Sequence, residues 1–255
     1  MAFSGSPMFR NAILSLGLIG SLGACSHQEP PANAPNTATD ASSSAAPATG
    51  APPAVPVSAT GASVFVVHQV SDFDAFKKYF EDGSAARGEN GVKGFLLSRV
   101  DDGRVVIHFF ADDADKVQAA LNSARMQEYL SRAGAPDASV VWVTKNVVVS
   151  LPAAPPSGET YSLYLKLHVS DFEAFRRAFD ERSAGFSAEG VLGYGLHQSV
   201  LKDDIVILHF VGNVRDKLEA LPSRPALAEL LKSAKPDSSV KPIIAVDVAR
   251  SRSNP

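Results

Sequence analysis

The sequence predicts an α+β fold: two tandem β-α-β-β-α-β repeats packed sheet to sheet as one barrel-like body. Three observations predict it. VSDFDAFKKYF (70–80) returns as VSDFEAFRRAF (169–179). Further matches follow in the same order: Gly91-Val92 with Gly190-Val191, VVIHF (105–109) with VILHF (206–210), Asp115-Lys116 with Asp216-Lys217, and Pro136-Asp137 with Pro236-Asp237. Collinear similarity at a spacing of about 100 residues is an internal repeat. Within each copy, alternating apolar runs of strand type switch to a helical stripe and back, twice.

The elements follow in order. SVFVVHQV (63–70) and YSLYLKLHV (161–169) read as first strands. A helix comes next, with Ser71 or Ser170 at the N-cap and Asp74 or Glu173 three residues on, the spacing of a capping box. Phe73, Phe76 and Phe80 recur at i, i+3 and i+7, as do Phe172, Phe175 and Phe179, making one apolar stripe. GFLLSRV (94–100) and RVVIHFF (104–110) form a hairpin turned at Asp101-Asp102-Gly103. A second helical region covers 112–133, broken near Asn122 and Ser123, and in the second copy Pro222 and Pro225 interrupt it. The last strand runs over 139–149, and Pro242 interrupts its counterpart.

A split β-α-β unit of this kind is ferredoxin-like. Its helices cover one face of the sheet, so the other face needs a partner. The second copy supplies it, and the duplication stands in for a homodimer. The expected organisation is a leader at 1–24, Cys25 and a disordered tether at 25–61, the first repeat at 62–150, a Pro-rich connector at 151–160, the second repeat at 161–249 and a disordered tail at 250–255.

The leader is read from its composition and from one resemblance. Arg10 precedes AILSLGLIGSLGA (12–24), an apolar run of signal-peptide length, too short to span a bilayer as a mature helix. The stretch from Met8 is a complete n-region by itself. LGAC (22–25) resembles the lipobox of bacterial lipoproteins, which implies that Cys25 becomes the lipidated N-terminus and the membrane anchor. Ser26 stands where an inner-membrane retention signal has Asp, so the implied location is the cell envelope, periplasm-facing, with the outer membrane favoured. From Ser26 to Gly61 the chain is Ala, Pro, Ser, Thr and Asn, too polar to bury a core. About 36 such residues reach on the order of 35 Å.

Composition excludes other classes. A formal charge of -3, from 24 basic and 27 acidic residues, supplies no field for nucleic acid. With Cys25 alone, neither an intrachain disulfide nor a thiolate metal cluster can form. The six histidines lack zinc spacing.

SDFDAFKKYF, the Ala/Arg stretch after it, GVKGFLLSRVDDGRVVIHFFADDADKVQAAL and the AGAPD segment (133–137) together resemble the dimeric α+β barrel superfamily, in particular its antibiotic-biosynthesis-monooxygenase-like members. The resemblance covers most of 64–248. The family's first-helix tryptophan is Phe76 or Phe175 here, and its proline after the hairpin acids is Gly103 in the first copy and missing from the second. No histidine lies on a predicted helix, so the helical haem ligand of haem-degrading relatives is missing, and no cofactor or metal is expected.

Strand parity sorts the side chains. Leu163, Leu165, Leu167 and Val169 face the helices, and Tyr164, Lys166 and His168 face inward by elimination. Phe65, Val67 and Gln69 hold the same face in the first copy. Val106, His108 and Phe110 face inward, as do Ile207, His209 and Val211. The candidate pocket is therefore His108, His209, Tyr164, Lys166, His168 and Gln69. His68 falls on the helix side, and His197, with Ser98 as its counterpart, stays open. An apolar interior with a few convergent polar groups suits a small molecule. The expected function is a lipid-anchored barrel that binds a small apolar or aromatic molecule, in a monomer with an internal pseudo-dimer. Two alternatives stand beside it: a cofactor-independent monooxygenase or cyclase using His108 or His209 as base, and a structural envelope lipoprotein without a ligand.

Lipidation gives the first prediction. Radiolabelled palmitate should label the wild-type protein in a bacterial host and fail to label Cys25→Ser, which should leave the membrane fraction. Equal membrane partitioning of the two would overturn the anchor.

Overall fold

Runs such as SVFVVHQV (63–70) and RVVIHFF (104–110) are largely apolar on both faces and so require two-sided burial, and the computed structural model shows how both sides are covered. It describes residues 57–58, 61–124, 128, 131–132, 140–152, 156–236 and 241–252. The leader, Cys25 and most of the tether lie outside the described residues.

The first copy runs β1 (Val57–Ser58), β2 (Ala62–Gln69), α1 (Phe73–Asp82), α2 (Ser84–Glu89), β3 (Val92–Arg99), β4 (Arg104–Ala111), α3 (Ala114–Leu121) and β5 (Val140–Ser150). The second runs β6 (Thr160–Val169), α4 (Phe172–Phe186), β7 (Val191–Ser199), β8 (Ile205–Gly212), α5 (Arg215–Ala220), α6 (Pro225–Leu231), β9 (Ala234–Pro236) and β10 (Ile243–Arg252). Strand neighbours follow the order β5-β2-β4-β3-β10-β6-β8-β7, and β7 pairs with β5 again. The sheet is thus a closed antiparallel ring, and closure removes its exposed edges.

The last strand of each copy makes the closure. β5 pairs with β2 from Val140 to Lys145 and with β7 from Thr144 to Ser150. β10 pairs with β6 from Ile243 to Asp247 and with β3 from Val246 to Arg252. Each carries one register shift where it meets the other copy, between Asn146 and Val148 and between Asp247 and Ala249. Such a bulge bends a strand and raises its twist, which lets one strand serve two sheets.

Three apolar clusters result. Phe76, Phe80, Val117 and Leu121 from α1 and α3 pack on Val64, Val66, Leu97, Val105, Ile107 and Phe109. Phe175, Phe179, Phe186, Leu227 and Leu230 pack on Leu163, Leu165, Leu167, Val206, Leu208 and Phe210. The third cluster lies inside the ring: Phe65, Val67, Val106, Trp142, Tyr164, Ile207, Ile243 and Ala245. The helix-facing and inward residues fall as parity predicts.

Four details correct the sequence reading. The caps of α1 and α4 are Asp72 and Asp171, whose carboxylates accept from Ala75 N at 3.0 Å and Ala174 N at 2.9 Å. Aspartate wins over Ser71 and Ser170 because it both satisfies an N3 amide and complements the helix dipole. Pro242 stands just before β10, so the strand is uninterrupted. Residues 250–252, expected in the tail, finish β10 against β3. Val57 and Ser58, expected in the tether, pair with Val149 and Val148.

Closure predicts that neither copy is a stable monomer. Residues 156–252 expressed alone should unfold or self-associate, and co-expression with 57–152 should restore a soluble complex, as read by sedimentation. A folded, monomeric half would sink the idea that the ring holds the two copies together.

Candidate functional site

The ring's interior is polar at its middle. Ser63 and Phe65 on β2, His108 on β4, Tyr164 and Ser162 on β6, His197 on β7 and His209 on β8 are all at most 1% exposed. They are brought together because inward parity on adjacent antiparallel strands stacks them in one layer: Phe65 faces His108, and Tyr164 faces His209.

The rings touch. His108 lies 5.1 Å from His209 and 5.4 Å from His197, centroid to centroid. Tyr164 stacks on His209 at 4.7 Å, with the planes 2° apart. Phe65 sits amid them, 4.2 Å from His108, 5.0 Å from His197, 5.9 Å from Tyr164 and 6.4 Å from Trp142. These rings form one contiguous buried layer.

Each histidine has a polar anchor. His108 Nε2 bonds Ser63 Oγ at 2.7 Å, and His209 Nε2 bonds Ser162 Oγ at 3.2 Å, equivalent pairs in the two copies. Ser162 donates to Asp247 Oδ1 at 2.8 Å, and Ser98 donates to the same oxygen at 2.7 Å. With its proton committed to Asp247, Ser162 accepts from His209, so that ring carries its hydrogen on Nε2. His197 Nδ1 donates to Asn146 Oδ1 at 2.9 Å. The remaining nitrogens, His197 Nε2 and His209 Nδ1, are buried lone pairs without a hydrogen-bond partner, and the Trp142 indole N–H is a buried donor without one. An unmet buried polar group costs about 1–3 kcal/mol.

The two copies differ at these positions. Leu96 and Ser98 of β3 correspond to Gly195 and His197 of β7. A Cβ at Gly195 would lie 2.3 Å from His197 Nε2, so the glycine makes the space that the imidazole fills. Asn146 and Asp247 correspond in β5 and β10, and each reaches the other copy, Asn146 to His197 and Asp247 to Ser98.

Burial sets the protonation states. Desolvation lowers His197 to about 3 and holds His209 well below its ordinary value, with the neighbouring His197 and Arg250 adding to the latter. Both are neutral bases. Burial raises the Asp247 carboxyl, while its serine bonds and Arg250 pull it back. Tyr164 is raised by burial first and by Asp247 second, so it stays a phenol.

The structure brings His108, His209 and Tyr164 together. It separates the rest of the candidate pocket. Gln69 is exposed at the strand end and donates to the Asp102 carbonyl at 3.2 Å. His168 is half-exposed and bonds Asp204 at 2.9 Å, a rim contact. Lys166 is only partly buried. Parity held for these three, but each lies closer to the strand end, where the ring opens. His68 is buried on the helix side against Phe76 at 6.3 Å and is lowered by desolvation to about 4. Ser63, Ser162, Asn146, Asp247 and Trp142 were not singled out from the sequence, which left His197 open between surface and pocket. Ser63 and Ser162 share the parity of Phe65 and Tyr164, which was the available signal. Among the described residues no group of three or more His, Cys, Asp or Glu has the geometry to hold a metal ion. Nor is any described helix long and apolar enough to cross a membrane.

Fold and site together define a class: a ferredoxin-like α+β barrel of the dimeric kind, written in one chain, with a histidine-lined core. Solved structures share this fold. A candidate monooxygenase from Fusobacterium nucleatum superposes with a TM-score of 0.57 at 12% identity, covering 77% of this chain and 96% of its own. An anthrone oxidase-like protein gives 0.54 at 9% identity, covering 79% and 98%. A candidate monooxygenase from Lactobacillus acidophilus gives 0.52 at 11%, covering 76% and 97%. No family model and no curated protein sequence matches the chain. At these identities the likeness is one of fold.

The neutral histidines give a pH prediction. Unfolded, each ring titrates near 6.5. Folded, His68 titrates at about 4, His197 at about 3 and His209 lower than its ordinary value. Between those values and 6.5 the unfolded chain binds protons that the native chain refuses. Stability therefore falls as pH drops below about 6.5, by up to ~1.4 kcal/mol per pH unit for each ring. Asp247, raised above 3.8, acts in the opposite sense, one group against three. The urea midpoint should be clearly lower at about pH 5 than at about pH 7.5. An equal or higher midpoint at the lower pH would contradict neutral burial.

Proposed function

We propose that this chain is a lipid-anchored envelope protein whose barrel interior binds a small aromatic molecule bearing a hydrogen-bond donor. One observation carries the reading. His197 Nε2 and His209 Nδ1 are lone pairs buried without partners around a central aromatic ring, Phe65. Native cores satisfy such groups or use them. A phenol or enol hydroxyl meets one of them, its ring takes the stacked position Phe65 now holds, and the unpaired Trp142 N–H offers a donor to a carbonyl or nitro oxygen. Entry requires the Phe65 ring to turn aside. The anchor rests on the leader and on Cys25, and the tether holds the barrel off the bilayer.

A second reading is a cofactor-independent oxygenase or cyclase. Structures of the same fold include candidate monooxygenases and an anthrone oxidase-like protein, and His209 presents a free basic nitrogen.

The test uses 4-nitrophenol against 4-nitrotoluene, near-isosteres that differ in the donor. Calorimetry should register binding of the phenol to the wild-type protein and at least about tenfold weaker binding of the toluene analogue. His209→Phe/His197→Phe should abolish the difference. No binding of either, or equal binding of both, would remove the reading.

A further inference from the structure

The two copies offer equivalent serine–histidine pairs, and the serine of the second donates to a carboxylate, Asp247. In the second copy, the geometry points to a relay running from Asp247 through the Ser162 hydroxyl to His209, which makes His209 Nδ1 a general base for a weakly acidic hydroxyl, of phenol or enol class, bound at the centre of the barrel. This rests on the binding reading above.

Each link of the relay is within hydrogen-bond distance. Ser162 Oγ is 2.8 Å from Asp247 Oδ1 and 3.2 Å from His209 Nε2, and it can give its single proton to only one of them. Donation to the carboxylate obliges the hydroxyl oxygen to accept from His209, which fixes the Nε2–H tautomer and leaves the Nδ1 lone pair facing the core. Ser98, from the other copy, donates to the same Asp247 oxygen at 2.7 Å and holds the carboxyl in place. Tyr164 stacks parallel on the imidazole and sets its plane. A base whose second nitrogen is oriented through a hydrogen bond toward a carboxylate is the arrangement that favours imidazolium formation.

The first copy differs at the matching position. His108 has Ser63, but the position matching Asp247 is Asn146, and Asn146 is turned to His197 instead. An amide carries no charge to set against an imidazolium. The two serine–histidine pairs therefore differ in the residue at this matched position, an asymmetry a homodimer could not encode.

The proton transfer balances within the site. The substrate O–H bond breaks, its electron pair stays on oxygen, and the proton joins His209 Nδ1. The imidazolium keeps its Nε2–H on Ser162, and the Asp247 carboxylate supplies the countercharge through that hydroxyl. Reversal on release restores both partners, so no co-reactant is consumed. His209 touches the substrate; Ser162 and Asp247 are positioning residues. Burial first, then His197 and Arg250, oppose the step, and the relay to Asp247 is what would favour it.

The probe is 4-nitrophenol, whose ionised form absorbs at longer wavelength than the phenol. At about pH 6 the free probe is mostly neutral. Bound to the wild-type protein it should show the phenolate band. Asp247→Asn, which copies the residue already found at position 146, should bind the probe with a phenolate fraction lower by about tenfold, and Ser162→Ala should do the same. Binding of the neutral phenol by the wild-type protein would overturn the base while leaving the binding reading intact. A phenolate band unchanged in both variants would overturn the relay. No binding at all would remove the reading and the proposal together. Nitrogen NMR of the free protein gives a ligand-independent check: His209 should carry its hydrogen on Nε2, and an Nδ1–H tautomer would contradict the proposal.

Discussion

Each copy's sheet has helices on one face only, and everything else in the molecule answers to the apolar side that remains. Leaving Phe65, Val106, Ile207 and Tyr164 in water would forfeit roughly 1.5–3 kcal/mol for each large side chain. Placing two sheets face to face buries them, but it leaves four strand edges unpaired. The long last strands remove that defect. β5 and β10 each begin on their own copy and end on the other, with one bulge apiece to make the turn. The result is a ring in which no copy is complete without its partner.

Writing both copies in one chain changes what that ring can hold. In a homodimer every interior substitution appears twice across the axis. Here Leu96 and Ser98 keep the first copy apolar and small, while Gly195 and His197 trade bulk at one position for an imidazole at the next. Asn146 and Asp247 have likewise parted in charge. The interior is consequently lopsided, with most of its chemistry on the second copy.

Desolvation then governs that chemistry. Surrounded by Phe65, Tyr164 and Trp142, His197 and His209 are held neutral by burial, and their unpartnered ring nitrogens are acceptors rather than donors. The same burial makes the site costly to maintain. Two orphan imidazole nitrogens and an orphan indole N–H together forfeit several kcal/mol, about 1–3 kcal/mol for each. A fold of marginal stability retains such groups when something else uses them.

The amino-acid sequence by itself determined the repeat, the strand and helix order and the face on which most strand residues lie. Those properties are local or periodic: the eleven residues of 70–80 returning at 169–179, the Phe stripe of α1, the alternation of β6. It also sufficed to put His108, His209 and Tyr164 in one interior. The tertiary structure decided which strands close the ring, and so which residues of different copies meet. Asp247 lies 85 residues from Ser162 and 149 from Ser98, and nothing in its neighbourhood along the chain marks it as other than a surface acid. His197, near the hairpin, reads equally as a surface or a pocket residue until Gly195 is seen to open space for its ring. Gln69 and His168 have the right parity, yet they lie where the strands run out toward solvent. Parity records the side of a sheet and not the depth within it, because depth depends on where the opposing sheet begins and ends.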